Sequence, residues 1–127
     1  MATGKEKRDT GRRGEDEACL FLMGKGHTIL ERNWRCGHLE IDIISMDRDG
    51  IHFVEVKTRR PPMQAEPQES VTAGKQRKIA AAAARYLAGK KDGPGEAECR
   101  FDIIAVTITG EQAEIRYYPD AFYPVSV

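Results

Sequence analysis

No stretch of this 127-residue chain approaches the roughly 18 consecutive apolar residues that a membrane-crossing helix needs. The opening MATGKEKRDTGRRG has no apolar segment behind its charges and does not read as a secretory signal. Cysteine is scarce: Cys19, Cys36 and Cys99 are odd in number and form no CxxC pair, which excludes a disulfide framework and a zinc ribbon. They read as reduced thiols of a cytoplasmic protein. Net charge is absent as well, with 20 basic residues against 20 acidic ones, so no global field draws the chain to nucleic acid. There is no glycine-rich phosphate loop and no sharp elbow around a serine nucleophile. His27, His38 and His52 have no ligand spacing among them and read as turn or surface residues. The lone tryptophan, in NWRCG, reads as packing.

What is present suffices for one folded domain: 40% of the residues are hydrophobic and 31% charged. Residues 1–13 read as a mobile basic tail and 14–127 as a single domain. EDEACLFLM, after Gly14, reads as a short buried helix stopped by Gly24-Lys25-Gly26. HTILERNWR, LEIDIISM and IHFVEVKT read as strands, the last two joined by the turn Asp47-Arg48-Asp49-Gly50. PPMQAEPQE reads as an irregular loop, TAGKQRKIAAAAARYLAG as the clearest helix, and KKDGPGE as a turn region. ECRFDIIAVTI and AEIRYYPD complete the set as strands. The order α-β-β-β-α-β-β predicts a layered α/β domain with a mixed central β-sheet flanked by helices.

FVEVKTRR, residues 53–60, then raises a chemical question. Glu55 and Lys57 lie two apart inside an apolar strand and so share one of its faces. If the Asp47–Gly50 turn closes a regular hairpin, Asp42 faces Glu55 and Glu40 faces Lys57. Facing carboxylates destabilise a sheet unless a positive charge lies between them, either Lys57 or a divalent cation. Ile41 and Ile43 beside Asp42, with Val54 and Val56 beside Glu55, argue that the hairpin is internal. An all-oxygen site with few protein ligands suits Mg²⁺, which keeps several waters and shares positions with phosphates.

Glu15 lies on the stripe of Ala18, Cys19 and Leu22, where it either reaches the sheet or only favours the positive end of the helix dipole. On spacing alone the dipole role is the simpler. Lys75, Arg77 and Lys78 occupy the first turns of the second helix, where the dipole disfavours cations, and fit either a visiting anion or a solvated rim. The basic residues Lys5, Lys7, Arg8, Arg12 and Arg13, and Arg59 and Arg60, are open to the same two readings. Asp102, in RFDII, reads as a structural acceptor for Arg100 or a helix end.

An acid, a hairpin and an acid-x-lysine strand resemble the PD-(D/E)XK nuclease superfamily. GRRGEDEA, ILERNWR, EIDII, FVEVKTRR, the helix entered through Lys75, and RFDII together resemble the YraN-type bacterial family, related to the archaeal Holliday-junction resolvases. The resemblance runs from about Gly11 to Val106. One departure is Leu39, where that family usually has glycine before the EID acids, with Gly37 two positions earlier.

The resemblance implies a restriction-endonuclease-like core and a metal-dependent DNA endonuclease. In that reading Asp42 and Glu55, with the Val56 carbonyl, bind Mg²⁺ or Mn²⁺. Lys57 orients or deprotonates the attacking water, and Glu15 supports the metal or its water. Arg59, Arg60, Lys75, Arg77 and Lys78 hold the DNA backbone without reading sequence. Branched DNA as substrate and a homodimer come from the analogy alone, and YYPDAFYPV, residues 117–125, forms either that interface or an edge strand. Two rivals remain: a DNA-binding module with little or no cleavage, and a purely structural Glu55–Lys57 ion pair.

Overall fold

The computed structural model describes residues 4–61, 71–90 and 98–123. Its elements are α1 (Gly4–Gly24), β1 (Thr28–Cys36), β2 (Leu39–Asp47), β3 (Gly50–Arg59), α2 (Ala73–Ala88), β4 (Cys99–Thr109) and β5 (Gln112–Tyr118). The expected order is therefore the observed one. The strands form one sheet in the order β1-β2-β3-β4-β5. Only β3 and β4 run parallel, with α2 lying between them in the chain, so the sheet is mixed. Most of the expected loop 61–69 and of the turn region 90–96 lies outside the described residues.

The helices cover opposite faces. Ala18, Cys19 and Leu22 of α1 are buried with Ile43, Val54, Ile104, Val106 and Ile108. Ala82, Ala83 and Tyr86 of α2 are buried with Ile41, Ile44, Ile51 and Phe53. The first helix begins earlier than its apolar stripe suggests: residues 4–13, expected as a tail, are helical. Arg13 donates to the carbonyls of Gly110 and Glu111, and Thr10 accepts from Arg60 Nε at 3.0 Å, which anchors this polar turn to the sheet. The helix stops as the glycines predict. Gly26 has φ 94°, the His27 N–H bonds the Leu22 carbonyl and the Gly26 N–H that of Met23. This paired closure turns His27 into the interior.

Gly14 sets how close α1 lies to β3. A Cβ there would collide with the Thr58 side chain, including its Cβ, which no rotamer change removes. Gly14→Ala is expected to lower unfolding free energy by about 1–3 kcal/mol, read from the urea midpoint, because α1 must back away from the sheet.

The hairpin register matches expectation from Asp47↔Gly50 to Ile43↔Val54. Beyond that pair no β2–β3 pairing continues among the described residues, and β3 goes on pairing with β4 alone through Glu55, Val56 and Lys57. Glu40 therefore does not face Lys57; it pairs with Arg35 on β1, 3.6 Å away. Ile41 and Ile43 also part company, one under α2 and the other under α1. The cause is local. Asn33 on β1 has φ 51°, and between Arg32↔Ile43 and Trp34↔Ile41 the ribbon turns over. Arg32 thus reaches Asp16 on α1, whereas Trp34 packs edge-on against Tyr86 on α2.

Two further expectations change. His27 and His52 are buried rather than superficial. Asp102, fully buried, accepts from His52, Tyr117 and the Asp120 N–H and not from Arg100, which pairs with Asp120 and Glu98. Of the stretch 117–125, Tyr117 and Tyr118 end the edge strand β5, and Tyr118, Ala121 and Phe122 pack beside Val71 and Ile103; residues 124 and 125 lie outside the described residues.

Candidate active site

The parting of β2 from β3 makes the site. Where the backbone pairing ends, the Val56 N–H turns to a side chain and donates to Asp42 Oδ2 at 2.8 Å. Asp42 is thereby fixed at the mouth of a cleft of about 230 Å³ lined by His38, Leu39, Glu40, Asp42, Glu55, Lys75, Lys78 and Ile79. Glu55 enters from β3 on the face of Phe53, toward α2. Its Oε1 lies 3.4 Å from Lys57 Nζ and 3.2 Å from Lys75 Nζ. Lys75 is held there because Thr72 caps α2, accepting from the Lys75 N–H at 3.2 Å.

Electrostatics mark the cleft as strained in charge. Burial, then the neighbouring Glu55, pushes the Asp42 carboxyl up to about 7, against the downward pull of the Val56 N–H. Glu15 and Glu40 add to the rise, which puts Glu15 within electrostatic reach although it stands on α1. Glu15 is itself raised, by burial above all, with Arg32 and a hydrogen bond to Asn33 opposing. Its Oε1 is buried and has no hydrogen-bond partner. Burial and the adjacent Lys75 hold Lys57 below the ordinary lysine range. Lys75 goes the other way: burial lowers it, but Lys57, Glu55 and Asp42 together raise it.

The sequence-derived set divides accordingly. Asp42, Glu55, Lys57 and Lys75 converge, with Lys78 on the cleft wall and Glu15 approaching from α1. Val56 contributes its N–H to Asp42. Arg59 donates to Thr107 at 3.1 Å and Arg60 to Thr10, so both lie along the β3 exit rather than in the cleft. Arg77 is exposed on α2. Leu39 packs on the α2 core and also lines the cleft, and Glu40 is turned toward Arg35. The residue that sequence reading missed is Asn33: its left-handed backbone turns the ribbon over, and its side chain bonds Glu15. Asparagine tolerates that conformation better than most residues, which was the available signal.

The sequence profile of the family described as "Uncharacterised protein family UPF0102" matches residues 14–106. The chain belongs to this family. A UPF0102 protein of Lawsonia intracellularis is 40% identical over 114 residues, covering 90% of this chain and 85% of its own. One from Chlorobium phaeobacteroides is 47% identical over 98 residues, 77% of this chain and 76% of its own. Among solved structures, the Pyrococcus furiosus protein SfsA in complex with Ca²⁺ aligns with 90% of this chain and 64% of its own, at 17% identity and a TM-score of 0.36. The UPF0102 match is the YraN-type family that the motifs resemble. It spans the cleft lining, from His38 to Ile79, as well as Glu15 on α1, and stops at Val106, before β5. Among the described residues no helix is long and apolar enough to cross a membrane.

Proposed function

We propose that this UPF0102 protein is a Mg²⁺- or Mn²⁺-dependent endonuclease acting on DNA phosphodiesters, with branched DNA as its preferred substrate. The observation that carries the reading is that the Asp42 and Glu55 carboxyls line one cleft, close enough for Glu55 to help push Asp42 up to about 7. Two carboxylates so placed ionise together only where cations share them. The donors are all oxygen, and the Val56 carbonyl would add a third, which fits a hard divalent ion that keeps several waters. Glu15 reaches Asp42 only through its charge. Bound there, the metal would acidify a water and stabilise charge developing on the phosphate.

The chain's own groups do the rest. Asp42 and Glu55 hold the ion, and the Val56 N–H keeps Asp42 from rotating away. Lys57 would orient the attacking water as an ammonium, or take its proton in the neutral form that its lowered proton affinity makes more accessible. Lys75 and Lys78 face the cleft and would hold the phosphate flanking the cut, while Arg59, Arg60 and Arg77 extend the contact along the backbone. Lys57→Ala is expected to slow single-turnover cleavage by about 10²–10⁴-fold and flatten the rise of rate with pH. Mn²⁺ binding measured in parallel should be nearly unchanged.

A second reading rests on one observation. Glu55 Oε1 already has two ammoniums within 3.4 Å, so half of the acid cluster is neutralised without an added ion. That favours a module which binds DNA and does not cut it. Incubating the protein with labelled duplex, flap and four-way-junction DNA, with Mg²⁺, Mn²⁺ or EDTA, separates the two. Metal-dependent products of defined length support the endonuclease, and their abundance ranks the substrates. Binding that weakens steeply with salt, and no products, supports the second reading. Cutting a two-fold symmetric junction would take two copies of the chain, which sedimentation with the junction bound would detect.

A further inference from the structure

On the α1 face, at the end of the sheet away from the acid cleft, two histidines and an aspartate meet. His27 follows the glycine closure of α1, Asp47 opens the β2–β3 turn, and His52 is the third residue of β3. His27 Nε2 lies 3.3 Å from Asp47 Oδ2, and His52 Nε2 lies 2.8 Å from Asp47 Oδ1. One ligand atom from each of the three falls within 4.8 Å of the others. Both histidines are buried, and their rings are 4.4 Å apart.

We infer that His27, Asp47 and His52 form a second metal site, distinct from the acid cleft, which takes Zn²⁺ or a similar borderline divalent ion. The orientation of the other ring nitrogens carries this. His52 Nδ1 bonds Asp102 Oδ2 at 2.6 Å, and His27 Nδ1 shares a hydrogen bond with Ser45 Oγ at 2.9 Å. Ser45 and Asp102 are both fully buried. Asp102 is fixed in turn by the Tyr117 hydroxyl at 2.6 Å and the Asp120 N–H at 2.9 Å. Both Nδ1 atoms are thus occupied by buried partners, and both Nε2 atoms aim at one carboxylate. Metal-binding histidines are oriented in this way, through a carboxylate or another acceptor on the far nitrogen.

The spacing also suits the ion. Bonds of about 2.0–2.2 Å in a tetrahedron separate ligand atoms by about 3.3–3.5 Å. The three ligand atoms lie within 4.8 Å of one another, so side-chain shifts of about an ångström bring them to that spacing. Two imidazoles and one carboxylate favour Zn²⁺ over Mg²⁺, the reverse of the all-oxygen cleft. The three ligands line a cavity of about 380 Å³ together with Asp49, Arg100, Tyr117 and Asp120, with room for waters that would complete the ion's coordination. Because the ligands come from the α1–β1 connection, the hairpin turn and β3, the ion would also clamp these three segments together.

The test is zinc content after dialysis of the full chain against Zn²⁺ and then buffer, with thermal melts alongside. Wild type and Asp42→Asn are expected to keep one equivalent and melt higher with zinc. His27→Gln and Asp47→Asn are expected to lose both the equivalent and the shift. Co²⁺ in place of zinc should give the intense visible absorption of a tetrahedral site in wild type, a readout that does not depend on the variants folding. No retained zinc and no such Co²⁺ band in wild type would overturn the inference. So would zinc retained unchanged by folded His27→Gln, or zinc lost from Asp42→Asn.

Discussion

Asp42→Ala is expected to lower the rate of metal-dependent DNA cleavage by about 10³-fold or more while changing DNA affinity less than about threefold. The two effects separate because, among the described residues, Asp42 makes no ion pair with a DNA-facing cation: its Oδ2 accepts from the Val56 N–H, and only its longer-range charge reaches Lys75. Removing it takes away one of the carboxylates that would hold the ion and frees the Val56 N–H that fixes the mouth of the cleft. The cations Lys75, Lys78, Arg59, Arg60 and Arg77 remain, so phosphate contacts and their salt dependence persist. Single-turnover rates and equilibrium binding on the same labelled DNA check the pair of outcomes. Cleavage unaffected by the substitution would move the active site elsewhere.

The second large effect is on stability. Asp42 has a folded-state pKa of about 7 against an ordinary 3.8, the rise coming first from burial and then from Glu55. Below about pH 4 the carboxyl is protonated in both states. As pH rises through 4 to 7, the unfolded chain ionises Asp42 before the folded chain does, so the folded state holds more protons and unfolding free energy falls. The loss is complete above about pH 7 and amounts to at most about 4 kcal/mol. Asp42→Asn should remove that part of the pH dependence, making the variant more stable than wild type at pH 8 without metal. Millimolar Mg²⁺ or Mn²⁺ should flatten the wild-type slope too, since the ion would favour the ionised folded form. Urea midpoints at pH 4.5, 6 and 8 for both proteins measure this. Identical slopes in the two would contradict the burial of an ionisable Asp42 beside Glu55.

The parts of the fold that were legible from sequence are those fixed by neighbours in the chain. Asp47–Gly50 set the hairpin register, so Ile43↔Val54 could be written down in advance, and the α2 stripe Ile79, Ala82, Ala83 and Tyr86 showed its buried face. Lys75 reaches Glu55 because that helix face is a local property. The Asp42↔Glu55 pairing that the register predicts does not form: β2 leaves β3 after Ile43↔Val54, and Asp42 meets β3 through the Val56 N–H instead. The rest depended on contacts distant in sequence. Residues 4–13 carry no apolar stripe, and their helix is anchored by Arg13 to residues 97 and 98 positions away. The reversal at Asn33 hangs on one left-handed residue, yet it decides that Ile41 and Ile43 face opposite layers. His52 and Asp102 are 50 residues apart, and parallel pairing of β3 with β4, which no turn announces, brings them together.

A Mg²⁺ titration followed by amide NMR tests the central claim most directly, that a divalent ion sits where β2 and β3 part. Val56 is the reporter, because its N–H donates to the Asp42 carboxylate itself. Mg²⁺ avoids the histidine site by its preference for oxygen ligands, so the two sites stay separable. The expected result is a saturable shift of the Val56 amide, shared by Asp42, Glu55 and Glu15 and absent in Asp42→Ala, with His52 and Asp102 unmoved. A Val56 amide that stays still at saturating Mg²⁺, or one that moves equally in Asp42→Ala, would contradict the account.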